Sequence, residues 1–111
     1  MAMASRRDLL PGTLDMLVLK TLSVQSMHGY AIARQIERVS ADVLRIEEGS
    51  LYSTLQCMRQ KGWIKAEWRQ TPNNQKARYY TITAAGRKRL GVEETGFAEL
   101  LAAIGRVMST R

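Results

Sequence analysis

A mainly helical α+β domain, built of three helices, a two-stranded hairpin and a long closing helix, is the fold class this sequence predicts, and three observations predict it. Apolar residues step by three and four from Leu14 to Leu22, from Ile32 to Val39 and from Leu51 to Met58, the period of a helix with one buried face. Between Trp63 and Thr83 the period drops to two around a turn-rich centre, Thr71-Pro72-Asn73-Asn74-Gln75, as in a hairpin. Beyond Thr83 the helical steps return and run to Met108 without a proline. At 111 residues the chain suffices for one domain with a modest core, and an apolar share of 45% excludes a disordered chain.

Residues 1–8 are short and polar, a flexible N-terminus by expectation. Leu10-Pro11-Gly12-Thr13 signals a helix start, with proline preset for a first turn or Thr13 as cap. Leu14, Leu17, Val18 and Leu22 then form one stripe, with Met16 and Leu19 off it. Apolar residues on more than one side call either for a central core helix or for a core face plus contact with another chain, and Leu14 and Leu17 are the candidates for that contact.

Met27-His28-Gly29-Tyr30 breaks the pattern before a second helix, whose stripe of Ile32, Ala33 and Ile36, with Val39 at its end, leaves Arg34, Glu37 and Arg38 to water. His28 is the only histidine and has no cysteine or second histidine at ligand spacing, so capping or packing is its expected role rather than metal binding. Tyr30, at the helix entrance, either donates to a phosphate or packs half-buried.

Residues 40–46 connect to the third helix, giving a helix-turn-helix with a long turn. Leu51, Leu55 and Met58 face inward. Tyr52, Gln56 and Arg59 recur at the same spacing on another side, and a phenol, an amide and a guanidinium in a row suit reading base edges and gripping phosphates in a major groove. Gly49 and Ser50 stand at the helix mouth, where free N–H groups point toward anions. An ordinary amphipathic helix with a solvated polar face fits the same pattern. Gly62 is placed to end the helix.

In the first strand Ile64, Ala66 and Trp68 alternate with Lys65, Glu67 and Arg69; Lys76–Thr83, rich in aromatic and β-branched residues, returns. A hairpin directly after such a helix, with Lys76 and Arg78 near its tip, has the layout of a wing reaching DNA backbone or minor groove, although lysines also guard structural edge strands. Charge favours the wing. Nine basic residues stand against the single Glu67 between Arg59 and Arg89, a local +8, whereas the remaining eight basic and nine acidic residues sum to −1 of the +7 total.

Thr83 can cap the last helix, along which Phe97, Leu100, Leu101, Ile104 and Met108 keep steps of three and four past the reach of the winged body. So long an arm is expected to pack on a second copy of the chain. The domain plan is therefore 9–83 as a winged helix-turn-helix and 84–111 as a dimerisation helix.

A single cysteine, Cys57, cannot form an internal disulfide, and its neighbours Leu51, Leu55 and Met58 favour burial. The start Met-Ala-Met-Ala-Ser-Arg-Arg-Asp lacks the apolar core of a signal peptide, and no apolar run approaches the roughly 20 residues of a membrane span. A cytoplasmic protein without membrane contact is expected. One histidine, one cysteine and no glycine-rich phosphate loop leave no nucleophile–base pair, so an enzyme is excluded and no cofactor is expected.

With these pieces in place the chain resembles the PadR family of bacterial transcriptional regulators, through Leu10-Pro11-Gly12-Thr13-Leu14-Asp15, His28-Gly29-Tyr30-Ala31-Ile32, Glu48-Gly49-Ser50-Leu51-Tyr52, Gly62-Trp63-Ile64, Tyr79-Tyr80 and Thr83-Ala84-Ala85-Gly86. The resemblance spans residues 9–90 in order. It implies a winged helix-turn-helix homodimer on a palindromic operator, usually a repressor, with Ser50 and Tyr52 at the DNA surface and the first and last helices forming the dimer. Ser53 stands where the family often has proline. Some short relatives hold flat aromatic ligands between paired tryptophans at the dimer centre; here the arm's only aromatic is Phe97, so a small-molecule effector is only weakly supported. The competing reading is a winged-helix module that binds an acidic protein partner instead of double-stranded DNA.

Overall fold

The computed structural model describes residues 12–111. The expected flexible segment 1–8 and the Leu10-Pro11 part of the helix start lie outside the described residues. Helix α1 (Thr13–Val24) is followed by a short strand β1 (Met27–His28), α2 (Gly29–Val39), α3 (Glu48–Gln60), β2 (Ile64–Gln70), β3 (Lys76–Ile82) and α4 (Ala84–Met108). The mainly helical winged architecture is as the sequence predicts, with one addition. The sheet has three strands in the order β1-β3-β2, all antiparallel, because Met27 and His28 pair with Tyr80 and Tyr79.

The core lies where α1, α2 and α3 meet the sheet: Val18, Leu19 and Leu22 of α1, Ile32 and Ile36 of α2, Leu51, Leu55 and Met58 of α3, closed by Met27, Ile64, Tyr80 and Ile82. Leu19, off the expected stripe, is fully buried beside Val18, since α1 is covered on two sides within the one chain. Val39 is exposed: α2 ends there and nothing lies across from it.

Local chemistry sets the boundaries. Gly12, not Thr13, precedes the first turn of α1, at φ +85°, and no side chain caps it. The His28 Nδ1 accepts the Ala31 amide at 3.2 Å and caps α2, the role expected of this histidine. Glu37, expected in water, turns into the helix-turn-helix connection, where its carboxylate accepts the Ile46 amide at 3.0 Å and lies 3.7 Å from Arg45. Ala41 and Asp42 take left-handed conformations there, which is how the chain fits its long turn.

Helix α3 ends as expected. Gly62 adopts φ +78°, its amide bonds the Arg59 carbonyl and the Trp63 amide bonds the Met58 carbonyl, the paired bonds of a Schellman motif. That stop brings Trp63 against the start of α4. Thr83 receives the Gly86 amide on its hydroxyl at 3.1 Å and donates its own amide to the Trp63 carbonyl at 3.0 Å. Four element ends are thus tied at one junction: the close of α3, the start of β2, the end of β3 and the first turn of α4.

Helix α4 has 25 residues and would measure about 37 Å. Its stripe begins inside the body with Gly86 and Leu90, both buried, and continues outward on the same face as Phe97, Leu100, Leu101, Ile104 and Met108, all exposed. Leu14 and Leu17 are half-buried and packed against the core. A shallow groove of about 250 Å³ runs between Thr13 and Met16 of α1 and Val92, Gly96, Phe97 and Leu100 of α4. No helix of the described residues is long and apolar enough to cross a membrane.

Candidate nucleic-acid interface

Helix α3 owes its orientation to Leu51, Leu55 and Met58, each almost fully buried. The direction opposite those three side chains passes through Gly49, Ser53, Gln56 and Gln60, all exposed. Tyr52 and Arg59 flank this face on the side of the hairpin, and the Arg59 guanidinium donates to the Gln56 side-chain oxygen at 3.3 Å, so the two polar groups are held together. The stripe of Tyr52, Gln56 and Arg59 read from the sequence is therefore one edge of the outward face. Ser53 and Gln60 fall outside that stripe, although projecting the helix from its three buried positions finds them. Cys57 also faces solvent: its expected burial fails because no element packs on that flank of α3.

At the mouth of α3 an anion is already in place. The Glu47 carboxylate accepts the Ser50 amide at 2.9 Å and the Ser50 hydroxyl at 2.7 Å. The amide expected to point freely at a phosphate is thus occupied by the chain's own side chain. Gly49 leaves room for that carboxylate, since a Cβ there would lie 3.2 Å from its oxygen. The two bonds from Ser50 hold the Glu47 carboxyl below its ordinary value. Because the folded-state value is lowered, this capping contribution is present above the usual glutamate range and is lost as pH falls through the lowered value. Glu47→Ala is accordingly expected to lower the melting temperature at pH 7, with the gap to wild type closing in acid below the usual glutamate range. A gap that does not change with pH in thermal melts would remove the cap from this account.

The hairpin stands beside α3 with strict register, Ile64 opposite Ile82, Trp68 opposite Arg78 and Gln70 opposite Lys76. Only its base is packed. Ile64 is buried and Ala66 partly so, but Trp68 is 65% exposed, against the alternation that would have turned it inward, because the hairpin extends past the body and no helix lies under its tip. Lys76 and Arg78 sit on this outer part.

Only part of the +8 segment is available to a ligand. Arg89 pairs with Glu93 on α4, Arg69 pairs with Glu67, and Arg89 and Lys61 clasp the Trp63 ring at 5.0 and 4.8 Å. Among the described residues Arg59, Lys65, Lys76 and Arg78 form no salt bridge. These four lie on α3 and the hairpin beside it; the other three cations of the segment without a salt bridge are Lys61 at the close of α3 and Arg87 and Lys88 in the first turns of α4.

Tyr52 bridges helix and hairpin. Its ring lies over Gly29 so closely that a Cβ there would come within 2.9 Å of the phenol oxygen, and partial burial, with the Glu48 carboxylate beside it, raises its phenol above the ordinary value. The hydroxyl therefore stays protonated as a donor. Tyr30, 66% exposed at the start of α2, carries the Arg34 guanidinium 6.0 Å above its ring. Among the described residues no group of three or more potential ligands could hold a metal ion.

A family model described as the transcriptional regulator PadR-like family matches residues 18–92. A PadR family transcriptional regulator from Eggerthella lenta is 27% identical, with a TM-score of 0.74 over 90% of this chain and 85% of that one. A PadR family regulator from Clostridium difficile superposes with a TM-score of 0.77 over 88% of this chain and 100% of its own, at 24% identity, a likeness of fold. An uncharacterised protein of Lysinibacillus sphaericus is 28% identical over 95 residues, 86% of this chain and 87% of that protein.

Proposed function

The chain belongs to the PadR-like family of transcriptional regulators, and from that premise we propose that it acts as a homodimeric repressor on an inverted-repeat operator. Residues 9–83 form the DNA-binding unit and 84–111 the dimerisation helix. The observation that carries this reading is the outward face of α3, polar and uncovered, with Arg59 at its edge and Lys65, Lys76 and Arg78 on the exposed hairpin beside it, none of the four in a salt bridge.

In this reading α3 enters the major groove. Gln56 and Arg59, with Ser53, Gln60 and Tyr52 beside them, meet base edges; Gly49 and Ser50 lie at the point of entry, and Tyr30, Lys76 and Arg78 meet the backbone on either side. Phosphate contacts supply most of the affinity and its salt dependence, while the helix supplies sequence preference. The dimer is supported by the α4 stripe, whose Phe97, Leu100, Leu101, Ile104 and Met108 leave an apolar face uncovered that is continuous with the core; in this reading the half-buried Leu14 and Leu17 of α1 join the contact. Two such protomers about a two-fold axis address half-sites roughly 34 Å apart, one helical turn of DNA.

A binding titration on the intergenic DNA upstream of the chain's own gene, against random duplex at two salt concentrations, tests this function. Saturation at two protomers per inverted repeat, well below the random-duplex Kd, is the expected result. Weak, equal, salt-sensitive binding to both would count against an operator there, and selection from a random DNA library that returned no preferred sequence would sink the reading. The division of labour has its own test. Gln56→Ala should relax preference at particular base positions at a cost of about 1–3 kcal/mol on the operator, whereas Arg78→Ala should weaken all duplexes alike and flatten the salt slope by about one. Equal losses from both changes on specific and random DNA would contradict it.

A further inference from the structure

The hairpin carries one large apolar side chain that the fold does not use. Trp68 is 65% exposed, yet its place is well defined: it stands across the strand pair from Arg78, whose guanidinium lies 5.9 Å from the indole ring. On the same sheet face, one pair closer to the body, Ala66 stands opposite Tyr80. This face forms one wall of a cleft of about 420 Å³, and Tyr52 of α3 and Tyr30 at the entrance of α2 line it from the other side. The cleft is therefore aromatic on both walls with Arg78 at its edge, and no carboxylate is among its lining residues.

We propose that this cleft seats one strand of the DNA backbone beside the groove taken by α3, with the Trp68 indole packed on deoxyribose carbons and its N–H donated to a phosphate oxygen. The inference rests on the DNA-binding reading above and makes Trp68 a contact residue of that interface. Two features select this occupant. A sugar-phosphate strand alternates apolar carbons with anionic oxygens, and the cleft offers aromatic faces beside a cation. The cleft is also continuous with the recognition helix, because Tyr52 belongs to both.

Charge separates the role of Trp68 from that of Arg78. An arginine on a phosphate releases counterions, so its loss changes the salt slope; an indole releases none. Trp68→Ala is expected to lower affinity roughly tenfold at every salt concentration with the slope of wild type, Trp68→Phe to fall between because the ring is kept and the N–H lost, and Arg78→Ala to flatten the slope by about one. Because Trp68 is exposed, both variants should keep the wild-type circular dichroism spectrum and melting temperature. The probe is a fluorescently labelled random-sequence duplex, sufficient for a backbone contact. A second readout uses the native tryptophans. The chain has two, Trp63 being held between Lys61 and Arg89, so the difference in acrylamide quenching between wild type and Trp68→Phe reports on Trp68 alone. Shielding of that difference when duplex binds supports the proposal. Duplex binding with Trp68 as quenchable as in the free protein, or with Trp68→Ala at wild-type affinity, overturns it while leaving the DNA-binding reading intact. Failure of the wild-type protein to bind any duplex overturns that reading and this inference with it.

Discussion

Gly86→Ala is expected to cost at least about 3 kcal/mol of folding stability, the largest loss from a single added methyl group in this chain. A Cβ at Gly86 would overlap the Trp63 carbonyl oxygen and come within 2.8 Å of the Ile82 side chain. Ile82 could adjust; the carbonyl cannot, because it accepts the Thr83 amide and hydroxyl, both at 3.0 Å. Relief would require α4 to lift from the Schellman turn that closes α3. In the proposed function the effect would extend to DNA binding, since among the described residues this junction is where hydrogen bonds hold the close of α3 to the root of α4. A control on the same helix sharpens the test. A methyl group added at Gly91 would have nothing within 4 Å of it, so Gly91→Ala should be neutral to stabilising by up to about 1 kcal/mol. Denaturant unfolding of both variants decides the matter: a Gly86→Ala midpoint close to wild type would mean that the junction is looser than described.

Leu101→Glu and Ile104→Glu are expected to turn the proposed dimer into a folded monomer and to weaken binding to the proposed operator by about a hundredfold or more. In a single chain both side chains are about half exposed, so a charge there leaves the monomer's own core untouched. In the proposed dimer each would bury a carboxylate in an apolar seam without a partner, a penalty large enough to separate the protomers. Two half-sites then bind independently, and the advantage of linked binding, commonly a factor of about a hundred to ten thousand, disappears. Glu99 lies on the opposite side of α4, and Glu99→Lys should leave assembly unchanged. Sedimentation velocity at micromolar concentration, paired with operator titration, reads both effects. A wild-type chain that sediments as a monomer, or a Leu101→Glu variant that remains dimeric, would reject the arm as the dimer contact.

Much of this architecture is legible in particular residues. Leu51, Leu55 and Met58 announce the buried face of α3 by spacing alone; His28 and Thr83 are recognisable as caps, and Gly62 as a helix stop, because each acts on backbone groups within a few positions of itself. The change of period after Trp63 marks the hairpin, and the unbroken steps beyond Thr83 mark the arm. The candidate interface is less completely legible. The sequence points to Tyr52, Gln56 and Arg59 but not to Ser53 and Gln60, and it counts Arg89 and Arg69 with the docking charge although both are paired.

What the sequence by itself determined is the order and type of the helices, the hairpin and the long arm, since these follow from side-chain period and from caps that bond their own neighbours. Tertiary structure decided the exceptions to those periods. Met27 and His28 are too short a run to show a period and become a strand only because β3 offers them free backbone groups. Trp68 continues an inward alternation yet lies open because the body stops short of the hairpin tip, Cys57 lies open because nothing flanks that side of α3, and Leu19 is enclosed because α1 is packed from two directions. The physical reason is common to all four: local sequence fixes the direction of a side chain or backbone group, whereas pairing and burial depend on what stands opposite, and that neighbour comes from distant sequence.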